Sequence, residues 1–139
     1  MSRILALDHG TRRIGVAIAD DETGIAFARP AIRRHDERAD FAHIARLTAE
    51  ERVTRIVLGL PRNLDGSEGP QAAAVREFGA RLAPVVGLPV TFVDERLTSW
   101  EAGERLRATG RRPVARSGEV DSAAASLILQ EYLDAEEDR

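Results

Sequence analysis

Ile4-Leu-Ala-Leu-Asp-His-Gly-Thr-Arg-Arg-Ile-Gly-Val-Ala-Ile-Ala-Asp20 holds two apolar runs, residues 4–7 and 14–19, with a short polar turn between them. Runs this short, rich in branched side chains and bounded by turn signals, predict buried strands. Two such strands joined by a tight turn form a hairpin. Asp8 then sits at the C-terminal end of the first strand. A carboxylate there either caps the turn or does chemistry, and the hairpin alone leaves both readings open.

Downstream, residues 24–32 predict a third strand, whose Pro30 suits an edge better than a central position. Residues 37–51 have helical spacing, with Phe41, Ile44, Ala45 and Thr48 on one face. Residues 55–60 are a fourth apolar run. Residues 61–69 are dense in turn formers and predict a loop. Pro70 suits a helix start, with Val75, Phe78, Gly79 and Leu82 as its apolar stripe. Residues 84–89 read as a connection, and residues 90–93 as a fifth strand running straight into Asp94-Glu95-Arg96. Thr98-Ser-Trp-Glu101 has capping-box spacing, so a helix is expected from there to about residue 109. A basic loop with Arg111, Arg112 and Arg116 follows, and a last helix is expected over residues 118–133.

The order is three strands, helix, strand, helix, strand, two helices. Short turns make the first three strands antiparallel, and helical crossovers make strands four and five parallel to their neighbours. The expected fold class is α/β, a five-stranded mixed sheet flanked by helices, in a single domain over residues 1–139 with an acidic tail at 134–139. Ligands of such sheets sit at the carboxyl ends of the parallel strands. Asp8, Asp94 and Glu95 all fall there, and Asp121 falls in the first turn of the last helix. Converging carboxylates repel one another unless a cation lies between them. A hard divalent ion such as Mg²⁺ or Mn²⁺ fits oxygen ligands, and a pair of ions about 4 Å apart suits phosphodiester hydrolysis. The plainer alternatives are a turn residue at Asp8, a loop start at Asp94 and a helix-dipole acid at Asp121.

Composition narrows the classes. There is no cysteine, which excludes disulfides, thiol catalysis and zinc–thiolate sites. No apolar run approaches membrane-spanning length, and the N-terminus lacks the apolar core of a signal peptide. These features lead to the expectation of a soluble intracellular protein. The formal charge is −3, carried by residues 134–139, so the body is neutral and shows no overall basic footprint for nucleic acid. All 20 basic residues are arginine. A GC-rich genome accounts for the missing lysine, while particular arginine clusters remain candidates for phosphate. Aromatics are only 4%, too few for base-stacking platforms, so recognition should rest on backbone shape and phosphates.

Taken in order, Asp8-x-Gly-x-x-Arg13-Ile-Gly-Val-Ala17, Gly59-Leu-Pro, Asp65-Gly-Ser, Asp94-Glu-Arg-Leu-Thr98 and Asp121-x-Ala-Ala124 resemble the YqgF family, also called RuvX. Its members are described as pre-16S rRNA nucleases or Holliday-junction-resolvase-like proteins. The resemblance spans residues 4–133. It implies an RNase H-like fold and a cytoplasmic, metal-dependent endonuclease that processes the 5′ end of precursor 16S rRNA in ribosome biogenesis. The implied partners are structured RNA in a pre-ribosomal particle, or branched DNA, with no membrane and a monomer or homodimer as the working unit. Carried over residue by residue, the catalytic and metal-holding set is Asp8, Glu95 and Asp121, with Mg²⁺ or Mn²⁺ as cofactor. The run before Asp121, expected to be lysine-rich, carries Arg111, Arg112 and Arg116 instead.

Consecutive strand residues face opposite ways, so one of Asp94 and Glu95 should face the ion; the resemblance selects Glu95. Arg12 and Arg13 follow the Asp8 turn and are candidate phosphate contacts, against a solvated hairpin tip. Arg96 either contacts substrate or pairs with its acidic neighbours. Asn63 either lines the cleft or caps the next helix. His9 is expected to face away from Asp8. A non-catalytic RNA-binding assembly factor is the competing class. A phosphate-binding ATPase, suggested by Asp8-x-Gly-Thr11, would need a second domain.

Overall fold

The computed structural model describes residues 2–95 and 122–137. The expected helix from Thr98, and with it Arg96, Arg111, Arg112, Arg116 and Asp121, lies outside the described residues.

Five strands form one sheet: β1 (Arg3–His9), β2 (Arg13–Asp20), β3 (Ile25–Arg33), β4 (Val53–Leu60) and β5 (Val90–Asp94). Their order is β3-β2-β1-β4-β5. β1 pairs antiparallel with β2, and β2 with β3. β4 lies parallel to β1, and β5 parallel to β4. This is the mixed topology expected from the connection lengths. β3 is an edge strand, the position that suits Pro30, and the β2–β3 register shifts between Ile14 and Val16, opposite that proline.

Strand alternation sorts the side chains onto two faces. Leu5, Leu7, Ile14, Val16, Ile56, Leu58 and Leu60 point to one face, covered by α1 (Glu37–Glu50) and α2 (Pro70–Val86). Phe41 and Ile44 of α1 meet Val75, Phe78 and Leu82 of α2 there. Ile4, Ala6, Ala17, Ala19 and Val57 point to the other face and meet Ala125, Ile128, Leu129, Tyr132 and Leu133 of α3 (Ala123–Glu137). Small residues on β1 and β2 let α3 lie close to the sheet.

Two helix ends differ from expectation. α2 continues through Pro84 to Val86, where Gly87 closes it in the left-handed conformation at φ 67°. Pro84 is exposed, so the carbonyl it leaves without a donor can be hydrated, while buried Leu82 and partly buried Val86 keep the last turn on the core. α3 runs to Glu137, so most of the expected acidic tail continues the helix. Its anchors come from its own side chains. Ser122, fully buried just before α3, accepts a bond from the Val16 N–H at 2.9 Å. Gln130 donates to the Gly24 carbonyl at 2.9 Å and accepts from the Ala26 N–H at 3.1 Å. That two-point clip occupies backbone groups on the edge strand, which limits strand addition by another chain.

Candidate active site

Asp8 is a strand residue in the ladder, paired with Gly15 of β2, and not a turn residue. It follows Ile4 and Ala6 onto the α3 face. The β1–β4 register sets Leu7 beside Leu58, which brings Gly59 next to Asp8 along the parallel pair. Glycine therefore flanks Asp8 on both neighbouring strands.

Glu95 arrives from the far side of Gly59. β5 pairs Val93 with Gly59 and Asp94 with Leu60, so Glu95 follows at the carboxyl end of the sheet. A Cβ on Gly59 would collide with the Glu95 side chain and would lie 2.5 Å from Ile128 Cδ1. Glu95 thus crosses β4 over the missing side chain and shares a hydrogen bond with Asp8. Its carboxyl is pushed up to about 8, first by burial, then by that bond and by the Asp8 and Asp94 charges. Two carboxylates brought this close cannot both ionise without a compensating charge. Their hard oxygen donors fit a divalent cation, which would take the place of the shared proton.

Asp94 takes the other face, with Phe92. Its carboxylate lies 3.8 Å from Arg62 Nη1, and Arg62 Nη2 lies 3.7 Å from Glu68. Glu68 is also held by Arg76, through bonds of 2.5 and 2.8 Å. Of the two adjacent acids, the structure brings Glu95 to Asp8 and gives Asp94 to Arg62. Sequence gave no signal for Arg62. Gly59, a lone glycine inside a strand, carried one: such glycines mark close approach.

Behind Asp8, His9 faces away, with its ring 4.6 Å from Phe78 of α2. Arg34 Nη1 bonds the Gly10 carbonyl at 3.0 Å and lies 3.1 Å from His9 Nε2. Burial, followed by the Arg34 charge, lowers the His9 pKa. The neutral ring therefore accepts from Arg34. Buried Asp40 receives Arg34 Nε at 3.3 Å and the His35 N–H at 3.1 Å. The Arg34 N–H also bonds the Arg12 carbonyl at 2.9 Å, and Gly10 N–H the Arg13 carbonyl at 3.0 Å. The hairpin tip that carries Arg12 and Arg13 is held on both strands.

Arg12 and Arg13 are exposed at the end of the sheet where Asp8 lies. Asn63 is turned into its own loop, where its amide donates to Ser67 Oγ at 3.0 Å. A cavity of about 410 Å³ lies at the opposite end of the sheet, among Ser2, Asp21, Arg55 and Tyr132, away from the carboxylates. Among the described residues no helix is long and apolar enough to cross a membrane.

Comparison with known proteins gives the same architecture. The family model described as "RuvX: Holliday junction resolvase" matches residues 2–135. A relative from Chloroflexus aggregans, described as "Putative pre-16S rRNA nuclease", is 50% identical over 132 residues, covering 95% of this chain and 93% of its own. One from Anaeromyxobacter dehalogenans with the same description is 46% identical over 132 residues, covering 95% and 96%. Among solved structures, Thermus thermophilus RuvC in complex with Holliday junction substrate superposes with a TM-score of 0.65 at 12% identity, covering 99% of this chain and 97% of that one. The fowlpox virus Holliday junction resolvase gives 0.57 at 12% identity, covering 96% and 99%. At that identity the likeness is one of fold. The family match over nearly the whole chain and the shared RNase H-like architecture place this protein in the RuvX family.

Proposed function

We propose that this RuvX-family nuclease is a metal-dependent endonuclease that processes the 5′ end of precursor 16S rRNA. The observation that carries the proposal is the Asp8–Glu95 carboxylate pair, set over Gly59 at the carboxyl end of the sheet. Asp8 and Glu95, with Asp121 by family resemblance, hold Mg²⁺ or Mn²⁺. When bound, the ion lowers the pKa of an attacking water and polarises the phosphodiester. Asp8 lies on a central strand, so its carboxylate is fixed by the ladder before substrate arrives. Arg12 and Arg13 meet backbone phosphates beside it, and Arg96, Arg111, Arg112 and Arg116 add to that contact. The RNA substrate reading follows the descriptions of the relatives. The description of the family model favours branched DNA as the second reading.

The test compares wild type and Asp8→Asn on precursor 16S RNA and on a four-way DNA junction, with Mg²⁺, Mn²⁺ or chelator. Wild type should cut the RNA with either ion and not with chelator. Asp8→Asn should lose several kcal/mol of transition-state stabilisation, at least about a hundredfold in rate, while staying folded. Cleavage by the variant at the wild-type rate would show that Asp8 is not part of the site. Cutting of the junction alone would favour branched DNA.

A further inference from the structure

Among the described residues, Arg62 alone has a buried side-chain polar atom, its Nε, with no hydrogen-bond partner. Its two ion contacts are long. Nη1 lies 3.8 Å from Asp94 and Nη2 lies 3.7 Å from Glu68, both beyond hydrogen-bond reach. Glu68 already has Arg76, bonded at 2.5 and 2.8 Å. The Arg76 guanidinium in turn lies 5.2 Å from the centre of the Phe92 ring. The Glu68–Arg76 pair is therefore complete without Arg62. A buried N–H with no acceptor costs stability, and an apolar side chain at this position would avoid that cost. Contacts of 3.7 and 3.8 Å do little to offset it.

Position gives the cation a use. Arg62 stands two residues beyond Leu60, the end of β4, and Leu60 pairs with Asp94 at the end of β5. It thus lies at the carboxyl end of the sheet, on the β4–β5 side of Asp8. The hairpin tip with Arg12 and Arg13 lies on the β1–β2 side. The loop after Arg62 is closed on itself. The Asn63 N–H bonds the Ser67 carbonyl at 2.9 Å, and the Gly66 N–H bonds the Asn63 carbonyl at 2.9 Å. The backbone at residue 62 is therefore held between an interior strand and a fixed turn. The side chain, 33% exposed, is the part that can move.

We propose that Arg62 binds a backbone phosphate of the nucleic-acid substrate on the β5 side of the Asp8–Glu95 pair. The inference rests on the nuclease reading above and adds a second flank to the path of the substrate strand. Arg62 gives up two long carboxylate contacts and takes phosphate oxygens in paired hydrogen bonds, which its planar fork suits. Glu68 keeps Arg76 throughout. The substrate backbone runs across the carboxyl end of the sheet from the hairpin tip, over Asp8 and Glu95, to Arg62. Such a contact positions the strand without reading its bases.

The experiment uses the full chain in chelator, with fluorescence anisotropy on a labelled precursor-16S RNA fragment and on a labelled four-way DNA junction over a salt series. Urea denaturation is run on the same preparations. Arg62→Met, Arg62→Lys and Arg46→Met are compared with wild type. Arg46 is an exposed arginine on α1, so its loss controls for net charge. Arg62→Met should weaken binding about three- to tenfold and lower the slope of log K against log salt by about one. Its urea midpoint should equal or exceed that of wild type, because the orphaned N–H is gone. An arginine that only ties the loop to β5 would do the reverse, losing stability and keeping affinity. In cleavage assays with Mg²⁺, Arg62→Met should raise KM more than it lowers kcat. Arg62→Lys should recover part of the binding, and Arg46→Met should match wild type. A loss on both nucleic acids supports a shared backbone contact. A loss on one supports the contact and identifies that nucleic acid as its source. If Arg62→Met loses affinity and stability together, Arg62→Lys decides: recovered affinity and slope support the contact, and no recovery overturns it. Wild-type affinity and slope in Arg62→Met, or an equal loss in Arg46→Met, also overturns it. Where wild type binds and cuts, such a result removes only the Arg62 contact. If wild type neither binds nor cuts either substrate, the nuclease reading falls with it.

Discussion

Glu95 reaches Asp8 only because residue 59 has no side chain. The Glu95 side chain and the tip of Ile128 fill the space where a Cβ at Gly59 would stand. Gly59→Ala should push Glu95 off the pair and crowd α3. Overpacking of this kind costs about 1–3 kcal/mol, a loss the domain can survive. Cleavage with Mg²⁺ should fall much further than stability does. Kinetics and chemical denaturation on the same preparation check this; equal activity in the variant would place Glu95 outside the site.

Glu95 makes metal-free stability depend on pH in a definite direction. Its carboxyl rises from 4.5 to about 8 on folding, so the folded state holds the proton more tightly. The stability this contributes is complete below 4.5 and is lost as pH rises through about 8. In chelator, wild type should lose thermal stability relative to Glu95→Gln across that window. Mg²⁺ should reverse the loss at the alkaline end, because the ion binds the ionised pair. A wild-type-to-variant difference that stays constant from pH 5 to pH 9 would show that Glu95 does not titrate there.

Asp40 should matter to stability and to the hairpin tip together. It is 2% exposed and takes both Arg34 Nε and the His35 N–H. Asp40→Ala leaves Arg34 without its carboxylate and should cost about 2–4 kcal/mol, slightly under the range for a fully buried pair because Arg34 is partly exposed. Asp40→Asn can still accept from His35 and should cost less. Urea denaturation measures the cost. Amide exchange at Gly10 should quicken in both variants, since Arg34 also holds the Gly10 carbonyl.

Ser122→Ala removes the partner of the Val16 N–H in the middle of the sheet. A buried donor left unpaired costs about 1–3 kcal/mol. Ser122→Thr keeps the hydroxyl but adds a methyl to a fully buried site, so it should not restore full stability. Denaturation midpoints decide, and an unchanged Ser122→Ala would mean that water replaces the hydroxyl.

Much of this was legible in the sequence. Short apolar runs and tight turns predicted the hairpin, crossover lengths predicted the parallel pairs, and Pro30 marked the edge. Asp8 was visible because a carboxylate ended a buried strand. Strand alternation showed that Asp94 and Glu95 must diverge, yet not which one meets Asp8, because that depends on register with β4. The same limit hid Arg62, which became informative only when β5 brought Asp94 beside it. The end of α2 was misread because Pro84 signals a stop locally, while burial of Leu82 and Val86 and the Gly87 cap carry the helix past it.

The bond from Val16 to Ser122 joins positions 106 residues apart. Synthesis at about 5–20 residues per second separates the two ends of that bond by roughly 5–20 s. During that interval the alanine-lined side of β1 and β2 has no helix to cover it. The hairpin bearing Asp8 is therefore made early and finished late. On a chain still being translated, the strand that carries Asp8 is made while one face of its sheet has no helix to cover it, and that face closes only once α3 has been made.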